Sequence, residues 1–160
     1  MTTANHPYIR WMRREDVPRV LKIFAYAQRM WTPSLLIDYL ENHQHCVGVV
    51  ADNGAEVLGG MIYQLRKDEF KVDELVVDPD FRRQGVGSMF LRALVCKLHR
   101  RASAGRTRLE IEVNDRNLLG LRFLRSHGFL AAGISEDDQG YVMQYVKGGA
   151  KAVFRNRIKA

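Results

Sequence analysis

The sequence has few cysteines and no long apolar run. Cys46 and Cys96 are its two cysteines, far apart and in apolar surroundings, so a disulfide framework is not expected and a reducing cytosol is the default interpretation. No apolar run approaches the length that spans a bilayer, and residues 1–7 lack the basic and apolar regions of a secretory signal. We therefore expect a cytoplasmic protein without a membrane segment. At 160 residues and 46% hydrophobic content, the chain can build one domain with a proper core.

Acidic residues are missing from the C-terminal end, where the last one is Asp138. The residues that follow include five basic ones: Lys147, Lys151, Arg155, Arg157 and Lys159. Much of the net charge of +7 therefore lies in a tail, and the rest of the chain is nearly balanced. We predict a folded domain over 1–147 and a basic tail over 148–160. A solvated terminus is the simpler interpretation of this tail, and weak contact with RNA or an acidic partner is the alternative.

Hydrophobic periodicity and turn signals predict the element order βααβββαβαββ, an α/β (α+β) layering of a mixed sheet and helices. Asp16 is placed to cap the first helix, and the second begins at Thr32-Pro33. Asp52-Asn53-Gly54 indicates a tight hairpin. Gly59-Gly60 in the next strand marks a bulge or a close backbone approach.

One segment has the composition of a phosphate site. The strand end Leu75-Val76-Val77 turns at Asp78-Pro79-Asp80 and continues as Arg82-Arg83-Gln84-Gly85-Val86-Gly87-Ser88 into an amphipathic helix. A helix start has N–H groups without intrahelical partners and a partial positive charge, and glycines allow a ligand close to the backbone. With two arginines beside them, these residues predict a pyrophosphate site. A P-loop is excluded because no Lys follows the glycines, and a dinucleotide fingerprint because its third glycine position is Phe90.

The pattern Arg82-x-x-Gly85-x-Gly87 resembles the signature of the GNAT superfamily of N-acetyltransferases, and the lead-in Val77-Asp78-Pro79 is typical of it. The next block of that family resembles the strand 109–113, followed by Asn117 and by Ser126-His127-Gly128-Phe129. The resemblance covers 7–147. It is strongest toward the branch that acetylates alanine in ribosomal proteins.

This resemblance implies a mostly antiparallel mixed sheet flanked by helices, and acetyl-CoA as co-substrate. The fourth and fifth strands would splay apart to admit the acetylated pantetheine arm. Backbone groups of Leu75, Val76 and Val77 would contact the arm. The pyrophosphate would be held by Arg82, Arg83, Gln84, Gly85, Val86, Gly87 and Ser88. Asn117 matches the family position that contacts the pantetheine arm.

A carboxylate near the site could accept the proton of the attacking amine. Glu112 aligns with the proton acceptor proposed for this branch and is our first choice, and Glu74 on the neighbouring strand is the alternative. The family slot that often holds a Tyr proton donor is Leu124 here. A thiolate leaving group with a pKa of about 8.5, by analogy with Cys, needs little proton assistance, so we assign no general acid.

The acceptor amine stays open at this stage. The acidic turn Ser135–Gly140 is a polar hairpin or a lip for a cationic amine, so N-terminal, Lys and small amines all fit. We predict an N-acetyltransferase; the alternative is a CoA-binding or degenerate GNAT-like module that acts through protein or RNA binding. An edge strand near Tyr141 could pair in a homodimer. His43 and His45 have no second ligand pair at metal spacing, so no metal is expected.

Overall fold

The computed structural model describes residues 5–27, 29–42, 44–100 and 105–149. Over these residues the elements follow the predicted order βααβββαβαββ. The strands are β1 (Tyr8–Trp11), β2 (Cys46–Asp52), β3 (Val57–Leu65), β4 (Glu69–Val77), β5 (Arg108–Asn114), β6 (Leu130–Ile134) and β7 (Gly140–Val146). The helices are α1 (Val17–Phe24), α2 (Pro33–Asn42), α3 (Val86–His99) and α4 (Leu118–Ser126).

The strands form one mixed sheet in the order β1-β2-β3-β4-β5-β7-β6. β4 pairs in parallel with β5, from Glu69↔Arg108 to Val72↔Ile111. The pairs β1–β2, β2–β3, β5–β7 and β6–β7 are antiparallel. The predicted fold class, a mixed and mostly antiparallel sheet flanked by helices, is confirmed. The edge strand predicted near Tyr141 is wrong, because Tyr141 of β7 pairs with Val113 of β5 on one side and with Ile134 of β6 on the other.

Backbone contacts divide the chain into two compact units, and the first comprises Met1–Leu65 and Asp73–Ala93. Its core includes Val20 and Phe24 of α1, which are buried together with Ile62 of β3. A Cβ on Gly60 would lie 3.0 Å from the Phe24 ring, so this glycine lets α1 pack close to β3. A Cβ on Gly59 would lie 2.9 Å from the Val76 carbonyl oxygen. The close approach predicted for these glycines is confirmed.

The start of the first helix differs from the prediction. A 3-10 turn at Arg14–Asp16 precedes α1, and Asp16 makes no side-chain cap to that helix. Its buried carboxylate instead accepts hydrogen bonds from the Arg10 guanidinium and from the Arg13 N–H, each at 2.7–2.8 Å. A buried carboxylate is stabilised more by a guanidinium than by a helix N–H, because the ion pair is also a charge-assisted hydrogen bond.

The second unit comprises Arg66–Val72 and Leu94–Ala160. Phe70 of β4, Leu98 of α3, Leu109 of β5 and Phe129 before β6 are among its fully buried side chains. A Cβ on Gly140 would lie 2.1 Å from the Val113 carbonyl oxygen. Only glycine therefore fits where β7 begins against β5.

The helix α3 and the start of the tail have the following surroundings. In α3, Leu91 is buried and Ala93 is exposed. Lys147–Gly149 form a 3-10 turn, and the rest of the predicted basic tail, 150–160, lies outside the described residues. Within the described ranges, the helices are too short or too polar to cross a membrane.

Candidate active site

The turn after β4 is held by Asp78. Its Oδ1 accepts the Asp80 N–H at 2.9 Å, and its Oδ2 accepts from the Arg19 guanidinium of α1 at 2.6 Å. The Asp78 N–H in turn donates to the Leu58 carbonyl at 2.9 Å. The hydrogen bond from Asp80 and the ion pair with Arg19 keep the pKa of Asp78 below its ordinary value, although burial opposes them.

The segment Arg82–Ser88, which we call the phosphate loop, combines exposed cations with an accessible backbone. Arg83 and Gly85 adopt left-handed conformations, with φ of 59° and 82°. Apart from Gly85 and its two chain neighbours, no atom of the described residues comes within 4 Å of the place where a Cβ on Gly85 would stand. α3 begins at Val86, and the Met89 N–H donates to the Gly85 carbonyl at 3.0 Å.

This geometry fits a pyrophosphate. The N–H groups of the first turn of a helix have no partner further back in the helix, and the helix dipole places partial positive charge there. Left-handed residues turn backbone N–H groups toward one side and form concavities that bind anions. The open space over Gly85 leaves room for a ligand, and exposed Arg82 and Arg83 add full charges.

The other residues predicted to bind the cofactor are placed as follows. Leu75, Val76 and Val77 form the end of β4, where the Val77 carbonyl accepts from Arg82 Nε at 3.0 Å. In the second unit, Asn117 is the N-cap of α4, and its Oδ1 accepts the Gly120 N–H at 2.9 Å. This hydrogen bond fixes the Asn117 side chain at the start of α4.

Glu74 lies on β4 in the same unit as the phosphate loop and is half-buried. The Trp31 indole N–H donates to Glu74 Oε2 at 3.1 Å. Burial raises the pKa of Glu74, and the charge of Asp73 acts in the same direction. The Trp31 hydrogen bond and the Arg29 charge oppose this rise without cancelling it.

A polar cluster adjoins this carboxylate. The Tyr39 hydroxyl of α2 donates to Asp73, and the Gln64 side chain donates to Asp73 Oδ2 at 2.7 Å and to the Tyr39 hydroxyl at 3.0 Å. Burial and the Asp73 hydrogen bond raise the pKa of Tyr39, so it stays protonated. Burial likewise raises the pKa of the Cys46 thiol beside it. These contacts were not predicted, because the sequence does not show which aromatic residue faces which strand.

Glu112, the first choice from the sequence, has different surroundings in the second unit. Its side chain is 35% exposed and pairs with Lys71 Nζ at 3.4 Å. Glu110 on the same face of β5 accepts from Gln144 at 3.0 Å. Glu112 is therefore an ion-paired carboxylate at the surface.

The remaining candidates are mostly structural. Leu124 is 2% exposed and packs in the core of the second unit. Tyr145 Oη lies 3.4 Å from His99 Nε2, and its ring packs on Phe129. Asp137 in the acidic turn accepts hydrogen bonds from Ser135 and the Gln139 N–H, as a hairpin turn requires. In the part of the chain that the structure describes, His, Cys, Asp and Glu form no group of three or more that could hold a metal ion. His43 lies outside that part.

The fold and the geometry of the phosphate loop agree with a match to a family of acyltransferases. The model of the acetyltransferase (GNAT) family matches residues 8–129, so the chain belongs to that family, whose members transfer acetyl groups from acetyl-CoA. No sequence among curated proteins matched the chain.

Several solved structures share this fold. Ard1 from Thermoplasma volcanium is 21% identical with a TM-score of 0.73, over 88% of this chain and 97% of that one. The ribosomal-protein-S18-alanine N-acetyltransferase from Escherichia coli is 19% identical with a TM-score of 0.72, over 97% and 99%. PaiA N-acetyltransferase from Thermoplasma acidophilum, in complex with coenzyme A, is 13% identical with a TM-score of 0.71, over 88% and 99%.

Proposed function

We propose that this acetyltransferase acts on a primary amine, either the α-amine of a protein N-terminus or a small amine, and that Glu74 is its general base. One observation carries the proposal: β4 holds a half-buried carboxylate with a raised pKa and continues into the phosphate loop. Val77 follows Glu74 by three positions, or about 10 Å along an extended strand. Base and phosphate loop therefore belong to one local structure.

The phosphate loop would bind the pyrophosphate of acetyl-CoA through the backbone of Gly85 to Ser88, with charge from Arg82 and Arg83. Leu75 to Val77, which lead into this loop, would bind the pantetheine arm. Bound acetyl-CoA supplies an acetyl thioester, whose carbonyl carbon gains a bond to the amine nitrogen as its bond to sulfur breaks. The residues of the chain hold the reactants and remove the proton that the nitrogen loses.

Glu74 is better suited to this proton transfer than Glu112. A general base works best when its pKa lies close to the operating pH, and burial moves the pKa of Glu74 in that direction. Glu112 instead lies at the surface, where its carboxylate is already paired with Lys71 Nζ at 3.4 Å. The amine to be deprotonated has a pKa of about 8 when it is an α-amine, so a moderate base suffices.

One of the similar solved structures supports a protein N-terminus as one acceptor class. It is the ribosomal-protein-S18-alanine N-acetyltransferase from Escherichia coli. The acidic turn Ser135–Gly140 is compatible with a cationic acceptor of either class, since its carboxylates would attract positive charge.

A screen with acetyl-CoA, N-terminal peptides, lysine peptides and small amines tests the proposal, with thiol release and product mass as readouts. We expect acetylation of at least one amine class. Glu74→Gln should lower kcat/KM and remove the acidic limb of its pH profile, whereas Glu112→Gln should keep that limb. A panel without any acetylated product would refute the acetyl transfer, and an unchanged limb in Glu74→Gln would exclude Glu74 as the base.

A further inference from the structure

We propose that Trp31 is a positioning residue that holds the Glu74 carboxylate through its indole N–H and sets the proton affinity of that carboxylate. The inference rests on the proposed role of Glu74 as base. Its starting point is the 3.1 Å hydrogen bond from Trp31 Nε1 to Glu74 Oε2. An indole N–H can only donate, so this bond exists at full strength only while Glu74 is ionised.

The indole is held by contacts on several sides. Its ring packs against Phe24 at 6.0 Å between centroids and meets Tyr39 edge-on at 5.5 Å. The Arg29 guanidinium lies over the ring, 4.8 Å from its centroid. A side chain fixed in this way loses little further freedom when it donates a hydrogen bond, so it can orient its acceptor.

The ring neighbour of Trp31, Tyr39, is hydrogen-bonded to the strand that carries Glu74. Tyr39 of α2 donates to Asp73, the residue before Glu74, and Gln64 of β3 donates to the same carboxylate. The aromatic pair of Trp31 and Tyr39 thus contacts two consecutive acids of β4. Any shift of Trp31 relative to β4 would disturb both contacts, which gives the Glu74 carboxylate a defined position.

The charged and titratable groups around Glu74 come from three elements. Arg29 faces it from the connection between α1 and α2, and Asp73 lies next to it on β4. Tyr39 of α2 adjoins Asp73 and stays protonated. The Trp31 N–H is the neutral donor among them, and it favours the ionised form of Glu74. Loss of this donor with the ring kept in place should therefore raise the pKa of Glu74 further.

Trp31→Phe removes the N–H and keeps an aromatic ring between Phe24 and Tyr39. We expect the acidic limb of kcat/KM to move upward by about one pH unit, the effect of one hydrogen bond to a charged group. Trp11→Phe makes the same change at an exposed site of β1 and should leave the limb where it is. In the Glu74→Gln background, Trp31→Phe should have no further effect on kcat/KM, because the acceptor's charge is gone.

Two failures can be told apart. If Glu74→Gln keeps the wild-type limb, the base assignment in the proposed function is wrong. If Glu74→Gln removes the limb but Trp31→Phe does not move it, the assignment of Glu74 as base is supported and the role of Trp31 is refuted.

A measurement on the unaltered protein covers the case in which Trp31→Phe does not fold. The indole ¹H–¹⁵N resonance of Trp31 should titrate with the midpoint of the acidic limb, and that of Trp11 should not. If the chemical shift of the Trp31 indole resonance does not change around this pH, the proposal is overturned.

Discussion

Arg19 of α1 donates a 2.6 Å hydrogen bond to Asp78, and this bond fixes the turn from which the phosphate loop begins. The same guanidinium reaches the Val57 carbonyl and the Glu56 carboxylate, both at 3.2 Å. Asp78 is 7% exposed, and its other oxygen holds the Asp80 N–H. A helix that lies outside the phosphate loop thus determines where that loop starts.

Arg19→Met should therefore weaken both the fold and the binding of acetyl-CoA. The change leaves a buried carboxylate without its cation, and loss of a hydrogen bond to a charged group costs about 1.5–3 kcal/mol. Urea unfolding should show this loss, and calorimetric titration should show weaker binding. Arg14→Met is the control, because the Arg14–Glu41 pair is 3.6 Å long and its side chains are 74% and 51% exposed. That pair should contribute below about 1 kcal/mol. Equal losses in both variants would contradict the assigned role of Arg19.

Gly85→Leu should abolish or strongly weaken acetyl-CoA binding. A side chain there would fill the open space over the phosphate loop, and the left-handed φ of 82° adds strain. We expect affinity to fall by about tenfold or more, measured by titration calorimetry.

Gly105→Leu is the matched control, since Gly105 has φ of 81° and, as at Gly85, no described residue beyond its chain neighbours has an atom within 4 Å of the place of a Cβ. Both variants should lose similar stability, about 1–2 kcal/mol, but only Gly85→Leu should lose affinity. If the two variants bind acetyl-CoA equally well, the pyrophosphate does not lie over Gly85.

The fold and the strand–turn–helix course through Arg82–Ser88 could be predicted because their signals are local. Turn residues and hydrophobic periodicity mark strand and helix ends, and Gly85 and Gly87 at the start of α3 indicate an accessible backbone. The surroundings of Glu74 could not be predicted in this way. Trp31 and Glu74 are far apart in sequence, and no local pattern states that an indole N–H will meet a carboxylate across the fold.

Asp16 illustrates the same limit. An acidic residue before a helix is an ordinary cap signal, yet here the distant Arg10 of β1 attracts the carboxylate. The Asp16 carboxylate pairs with the Arg10 guanidinium and does not cap α1, because the ion pair is the stronger interaction. Local rules thus placed the residue at the helix start but not its partner.

Acid should destabilise the protein in part through Asp16. Burial alone would raise its pKa, but hydrogen bonds from Arg10 and from the Arg13 N–H outweigh burial, so the pKa lies below the ordinary 3.8. The ionised carboxylate therefore stabilises the fold above about pH 4, and this stabilisation is lost as pH falls through the folded-state pKa.

Asp16→Asn should lower the free energy of unfolding by about 1.5–3 kcal/mol at pH 7, and the deficit should shrink near pH 3. Urea unfolding at both pH values measures it. Glu15→Gln in the same turn is the control, because its side chain is 73% exposed. It should change stability little at either pH. A deficit in Asp16→Asn that stays constant across this range would mean that the Arg10 ion pair is not its cause.

Leu124→Tyr tests whether the missing hydroxyl at this position limits catalysis. Leu124 is 2% exposed, so a tyrosine must find both extra volume and a partner for its hydroxyl within a packed core. Overpacking of this kind costs about 1–3 kcal/mol. Leu118→Tyr on the same helix is the control, because Leu118 is 67% exposed and can accept a larger ring.

Thermal unfolding should show a lower Tm for Leu124→Tyr and a nearly unchanged Tm for Leu118→Tyr, and neither variant should have a higher kcat. A thiolate with a pKa of about 8.5 can leave with little proton assistance, so an added hydroxyl has little to supply. The opposite result, a stable Leu124→Tyr variant with raised kcat and an altered alkaline limb, would show that position 124 reaches the reacting atoms. The wild-type protein would then have no general acid at position 124, although its fold can accommodate a tyrosine there.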